Sequence, residues 1–279
     1  TINLPLKEKM VSCPLMNDEG LVVALAQKAS GQDTATICYG VDARFANSQE
    51  ITAISYNDYA LKQIGIKKAL PETEDQALIF LYMVSSQVDA EQYSSLLNDF
   101  IAQYPNSADG YVRRASNQLI LSTDDSSLEK IENYIHQALR ITDAKDDVYY
   151  NLAKMKYSYL VSGLNNEAKK WSFDGALSDI KQAIAIQDLP IYTQLEGDIH
   201  YLKQDFNSAL ASYKKVNESN IRSASTIFTE AKTLEMLETP AEEVLVLMDS
   251  CVAQFNKPYS ADAAPYLIER ARVRMEAKQ

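Results

Sequence analysis

Glycine and proline are scarce in this chain, eight of each in 279 residues, below the roughly 7% and 5% of average usage. Folds made of many short strands need both residues at their turns, so their scarcity favours long helices joined by few turns. Cysteine occurs only at Cys13, Cys38 and Cys251, with no CxxC pair. That excludes a disulfide-dense scaffold and the usual zinc-ligand spacings. The three read as small buried hydrophobes or incidental surface thiols. A sharper alternative is a Cys13–Cys38 bridge, which requires an oxidising compartment. Basic residues are outnumbered, 27 against 38 acidic, for a formal net charge of −11. An acidic surface repels phosphate backbones and anionic headgroups, so no nucleic-acid partner is expected. Long apolar runs are missing too: Leu21–Ala26 is far shorter than the roughly 20 residues of a membrane span, and no direct membrane span is expected. The chain starts at Thr1 with no basic-then-apolar leader, as a processed secretory precursor or a trimmed chain would.

Motifs for chemistry are equally sparse. The two histidines, His136 and His200, are far apart and belong to no HExxH or Cys/His cluster. His200 falls where a packing aromatic is expected, and His136 on a polar face. No G-x-x-x-x-G-K-[ST], G-x-G-x-x-G or G-x-S-x-G sequence occurs, so phosphate cradles, dinucleotide sites and nucleophile elbows lack support. The acidic pairs Asp124-Asp125, Asp146-Asp147 and Glu242-Glu243 fall at expected helix starts, where negative charge offsets the helix dipole. Asp143, Asp146 and Asp147 mimic a calcium loop only loosely, without its Gly and distal Glu. Asn217-Glu218-Ser219 fits a glycosylation sequon, as many sequences do by chance. The expectation is no catalytic residue, no cofactor and no metal.

What is present is apolar content and helical period. Hydrophobic residues make up 46% of the chain and charged residues 23%, enough to bury a core. Tyr (17) far exceeds Phe (7) and Trp (1), which suits packing boundaries where the hydroxyl meets water. From about Glu72 onward, segments with helical apolar spacing recur at a period of about 34 to 45 residues, the mark of a repeat array. The clearest unit is Ile191–Glu218. Leu195, Gly197, Ile199 and Tyr201 pattern its first helix, Phe206, Ala209, Leu210, Tyr213 and Val216 its second, and Gln204-Asp205 the turn. Gly197 and Ala209 let two antiparallel helices approach closely, and Tyr213 and Phe206 fill the space around them.

This unit resembles the tetratricopeptide repeat, which has a small residue, Ala twelve positions on, an aromatic four later and a small residue three after that. Here those positions are Gly197, Ala209, Tyr213 and Val216, the last departing from the usual Ala. The same register runs through Ala153 with Ala176, Ile180 and Ala183, where the step is 23 rather than 12, and through Ala115 with Ile131, Ile135 and Ala138, where it is 16. The extra residues fall near Gly163–Phe173 and in the turn Ser122–Ser127, which carries its own N-cap candidates. Gln76–Ser86 with Ala90–Gln103, closed by Tyr104-Pro105 and capped onward by Asn106-Ser107, makes a pair upstream. Ala224–Glu238 with Ala241–Phe255 makes one downstream, with Pro240 at the first helical position. Ala261–Lys278 looks like a first helix lacking its partner. Small residues then recur at Ala115, Ala153, Gly197, Ala231 and Ala271.

The fold class implied is all-α: a right-handed tetratricopeptide-like superhelix over residues 72–279, with about four helix pairs and a terminal helix. An ordinary helical bundle is the alternative. Residues 1–71 read as a degenerate helical or mixed region, with helical candidates at Gly20–Ala29 and Asn47–Leu61 and a β-branched stretch at Thr34–Tyr39.

In such arrays the first helix of each pair lines the concave face. The register then places Val112, Ser116 and Leu119, then Tyr150, Lys154 and Tyr157, then Gln194, Asp198 and Tyr201, then Phe228, Lys232 and Glu235 on that face. The alternative for the tyrosines is packing between helices. The resemblance implies a non-enzymatic scaffold binding a protein or peptide partner through Tyr150, Lys154, Tyr157, Gln194, Asp198, Tyr201, Phe228 and Lys232. The chaperone-binding subclass clamps a terminal carboxylate with basic residues and Asn. Ser116 and Asp198 depart from that pattern, so such a ligand is not expected. Leu96–Ala115 is similar to repeat proteins of the bacterial cell envelope, which tilts the expected location toward the periplasm or outer membrane. It also keeps open an assembly component that docks through its convex face or N-terminal region.

Overall fold

A computed structural model describes residues 12–28, 38–44, 70–162 and 170–277. The chain divides into two units, Thr1–Lys68 and Ala69–Gln279.

Within the first unit the described residues form an antiparallel sheet of β1 (Pro14–Met16), β2 (Val22–Lys28) and β3 (Cys38–Asp42), in that order. This corrects the helical expectation for Gly20–Ala29. Asn17 closes a three-residue loop: the Gly20 amide donates to its carbonyl at 2.9 Å, and the Glu19 and Leu21 amides donate to its side chain at 3.1 and 2.9 Å. Gly20 sits at φ +79°, the left-handed position this hairpin loop needs. The turn chemistry decides for strand, and β-branched Val22 and Val23 suit the extended conformation. Cys13 lies beside β1 and Cys38 in β3, on opposite sides of β2. Two strand spacings are about 10 Å, beyond the Cα separation a disulfide spans, so this sheet opposes a Cys13–Cys38 bridge. The candidate Asn47–Leu61 lies outside the described residues.

The second unit is helical throughout its described residues. In chain order it comprises α1 (Glu74–Val84), α2 (Ala90–Gln103), α3 (Ala108–Leu121), α4 (Asp125–Ile141), α5 (Lys145–Val161) and α6 (Phe173–Ile186). These are followed by α7 (Pro190–Leu202), α8 (Phe206–Asn217), α9 (Ala224–Met236), α10 (Ala241–Val252) and, after a 3₁₀ turn, α11 (Ala264–Glu276). Each helix packs on the next, and α3 also touches α5, as α5 touches α7. Five consecutive pairs and a last helix result, one pair more than the repeat register distinguishes. Neighbour-only packing of this kind is the rule in helical arrays.

Caps explain where several helices start. Asp89, Asp124, Ser172, Asp205 and Ser223 each accept an amide from the first turn, satisfying donors that the helix itself leaves open. Ser107 holds the N-cap of α3 as expected but makes no cap bond, and Pro240 is the N-cap of α10 rather than its first residue. Extra residues between Ala115 and Ala138 lengthen α4 to 17 residues. The insertion after α5 lies largely outside the described residues. Beyond it Trp171, 4% exposed, packs edge-on against Tyr159 and donates to Glu132 Oε1 at 2.9 Å.

The small-residue register sets the packing distance. Ala115, Ala153 and Ala231 are fully buried, and at Gly197 an added Cβ would lie 2.8 Å from Tyr213 Cε1. Cys251 is buried, and burial pushes its thiol up to about 12. Asn217 accepts from the Thr226 hydroxyl at 2.6 Å and donates to Glu230 at 2.7 Å, so the amide of the apparent sequon already holds α8 to α9.

Candidate protein-binding face

Residues three and four apart share a helix face. Tyr150, Lys154 and Tyr157 therefore line one side of α5, and Gln194, Asp198 and Tyr201 the matching side of α7. Lys154 is exposed and the other five are partly exposed. Helices α5 and α7 touch, and the charge of Asp198 on α7 reaches Tyr150 and Tyr157 on α5.

Tyr150 stacks on Tyr192, with ring centroids 4.9 Å apart, and Lys154 Nζ lies 5.9 Å above the Tyr150 ring. Tyr192 is itself buried, and its hydroxyl donates to Asp146 Oδ2 at 3.0 Å. Asp198 accepts from the Tyr213 hydroxyl at 2.8 Å through Oδ1. Its Oδ2 has no hydrogen-bond partner among the described residues. Burial raises the Asp198 carboxyl above its usual range, against the lowering effect of the Tyr213 hydroxyl. Burial followed by the Asp198 charge raises the Tyr157 and Tyr213 hydroxyls, and Tyr150 feels burial, then Asp147, then Asp198. These hydroxyls are thus held in their protonated form, and that of Tyr213 donates to Asp198. Tyr201 packs edge-on against Phe206 at 5.4 Å, which fixes its ring at the end of the row.

The remaining sequence-derived positions are placed differently. Val112 is 8% exposed and belongs to the core, and the Ser116 hydroxyl lies 3.6 Å from Met155 Sδ; these α3 positions serve contact with α5. Phe228 packs edge-on against Tyr266 of α11 at 5.4 Å. Lys232 pairs with Glu235 and Glu269, and Arg272 joins Glu235, Glu269 and Glu276. Burial lowers Lys232, but hydrogen bonds to the two glutamates more than offset it and leave it raised. The Arg272 hydrogen bond holds Glu269 down at about 2. A cavity of about 270 Å³ beside this network is lined by Lys232, Glu235, Val244 and Arg272, whose charges already have partners. Phe228 and Lys232 are therefore tied to the last helix.

Sequence reasoning missed two contributors, Tyr192 and Tyr213. The repeat pattern reads Tyr213 as a space-filling aromatic, and nothing local announces that its hydroxyl reaches Asp198 fifteen residues away. Among the described residues no group of three or more His, Cys, Asp or Glu is placed to hold a metal ion, and no helix is long and apolar enough to cross a membrane.

No family model matches the sequence, and no curated protein sequence matches it significantly. Solved structures do. A thermophilic tetratricopeptide repeat (TPR) protein of Thermus thermophilus, TTC0263, is 14% identical, over 73% of this chain and 100% of its own, with a TM-score of 0.51. PilF of Pseudomonas aeruginosa is 15% identical, over 74% and 87%, with a TM-score of 0.54. PilW, described as a widely conserved type IV pilus biogenesis factor, is 15% identical, over 71% and 84%, with a TM-score of 0.52. The likeness defines the fold: the helical unit is a tetratricopeptide-like all-α solenoid.

Proposed function

We propose that the chain is a protein-binding scaffold that takes an extended or helical segment of a partner along the α5/α7 face and performs no catalytic step. The observation that carries this reading is the alignment of Tyr150, Lys154 and Tyr157 with Gln194, Asp198 and Tyr201 on two touching helices, partly exposed rather than sealed in the core. Tyrosines held by neighbouring rings offer contact area at little entropic cost, and the polar groups between them supply directional bonds. Phe228 and Lys232, held by α11, mark the far boundary of the path. The chain's solved neighbours of tetratricopeptide type support the same general role. Calorimetric titration of candidate partner peptides into the wild type, Tyr157→Ala and Tyr201→Ala tests it. Each truncation is expected to weaken binding about tenfold or more, as for central aromatic contacts worth over about 1.4 kcal/mol. Unchanged affinity in both variants defeats the reading.

A second reading is favoured by the similarity to PilW and by the envelope-like stretch Leu96–Ala115. In it the chain is an assembly component of a bacterial envelope complex, outside the cytoplasm, docking through its outer face or through residues 1–71. A pull-down with residues 72–279 separates N-terminal docking, which the truncation abolishes, from binding at the helical unit, and the Tyr157→Ala and Tyr201→Ala variants then separate the α5/α7 face from the outer face.

A further inference from the structure

Resting on the reading of α5/α7 as the binding face, the geometry points to a specific anchor: the Asp198 carboxylate, set among Tyr150, Tyr157 and Tyr201, receives a lysine or arginine side chain from the partner segment. Asp198 lies one helical turn from both Gln194 and Tyr201 on α7, and α7 touches α5, where the Asp198 charge acts on Tyr150 and Tyr157. One oxygen is fixed by the Tyr213 hydroxyl at 2.8 Å, which orients the carboxylate, while Oδ2 has no hydrogen-bond partner among the described residues. A half-buried carboxylate left without a counter-charge is costly, and a cation delivered by a partner removes that cost.

The tyrosine faces suit the same guest. Aromatic faces attract cations within about 6 Å of the ring centroid, and the chain shows this at Tyr150, where Lys154 Nζ lies 5.9 Å from the centroid. Lys154 is exposed, and no hydrogen bond or ion pair ties it down among the described residues, so it yields its place to an incoming side chain. Apart from Lys154, the charges that act on Tyr150 at this face are acidic, Asp147 and Asp198. Asp147 on α5 is raised by burial, by Asp109 and by Asp146, so acidic groups extend the surface toward α3. Against a chain of net charge −11, a basic segment is also favoured in long-range encounter. An acidic segment meets repulsion at Asp198 and at Asp147. The occupant is therefore a polypeptide segment with at least one Lys or Arg in register with Asp198.

Selection of displayed random linear peptides against the full chain tests the anchor, followed by affinity measurements on the wild type, Asp198→Asn, Tyr157→Ala and Tyr201→Ala. Asn keeps an acceptor for Tyr213, and thermal melting checks that the variant folds. The expected outcome is enrichment of peptides with Lys or Arg at one fixed position. Their binding should fall at least tenfold in Asp198→Asn and weaken with salt. Peptides that lose affinity in the tyrosine variants but carry no fixed basic residue, or bind Asp198→Asn equally well, overturn the anchor and leave the α5/α7 face standing. Peptides indifferent to all three variants, or no enrichment at all, count against both. A response to spermidine without any peptide response assigns the site to a small cation and overturns the anchor.

Discussion

Gly197→Ala sets two effects of opposite sign against each other at the place where α7 and α8 approach most closely. Alanine has the better helix propensity by about 1 kcal/mol, so on local grounds the change stabilises α7. The structure opposes it. The new Cβ would lie 2.8 and 3.0 Å from Tyr213 Cε1 and Cδ1 and 3.1 Å from Ser212 Cβ, where carbon contacts settle at about 3.5 to 4.0 Å. Tyr213 has little room to withdraw, being 2% exposed with its hydroxyl bonded to Asp198. Overpacking costs about 1–3 kcal/mol, and pulling the ring away sacrifices a hydrogen bond to a charged group worth about 1.5–3 kcal/mol. The predicted net, with both costs incurred and the propensity gain deducted, is a loss of about 1.5–5 kcal/mol. Urea denaturation followed by circular dichroism reads this directly, and the melting temperature should fall by about 2–4 °C per kcal/mol. A gain near 1 kcal/mol would show that helix propensity outweighs the Tyr213 contact and would refute the reasoning.

Lys156→Met leaves Asp179, 8% exposed and 2.6 Å from the lost ammonium, as an unpaired charge, and should cost about 3–5 kcal/mol. Burial already raises Asp179 more than Lys156 lowers it, and a raised carboxyl means that the native state holds its proton more tightly. The variant should therefore recover stability as pH falls, and constant stability across mild acid contradicts this. Glu269 has the opposite sign. Held down to about 2 from 4.5, it contributes stability that is present above its unfolded value and lost as pH falls between the two. Amide exchange should show α11 losing protection in that window before α7 does. Gln204, at φ +62° in the α7–α8 turn, carries left-handed strain of about 1–2 kcal/mol, partly offset by the greater entropy of glycine in the unfolded chain. Gln204→Gly should raise stability by about 0.5–1 kcal/mol, and a lower midpoint in urea refutes the strain.

Most of the helical unit is legible from spacing alone. Ala115, Ala153, Gly197 and Ala231 occupy matching first-helix positions and each is buried, because close helix approach demands a small side chain and leaves a trace in the sequence. Ala271 shares the register but is exposed, since no following helix covers it among the described residues. The β-hairpin was hidden because Leu21–Ala26 is apolar without a decisive period, and the deciding signal was Asn17 and Gly20 at the turn. Contacts between successive pairs were illegible for another reason. Phe228 with Tyr266 and Lys232 with Glu269 join residues more than thirty apart, so the register places Phe228 and Lys232 on the correct helix but says nothing of what α11 does with them. Tyr213 illustrates a double role: the repeat pattern accounts for its ring, and only the fold reveals its hydroxyl at Asp198.

The most direct measurement places a photo-crosslinking amino acid at Tyr157, at Tyr201 and, as outward controls, at His136 and Val246, both exposed on second helices, in the full chain within its source cells. The predicted result is one partner band shared by Tyr157 and Tyr201 and absent at His136 and Val246. A partner crosslinking only at the outward positions would contradict binding along α5 and α7.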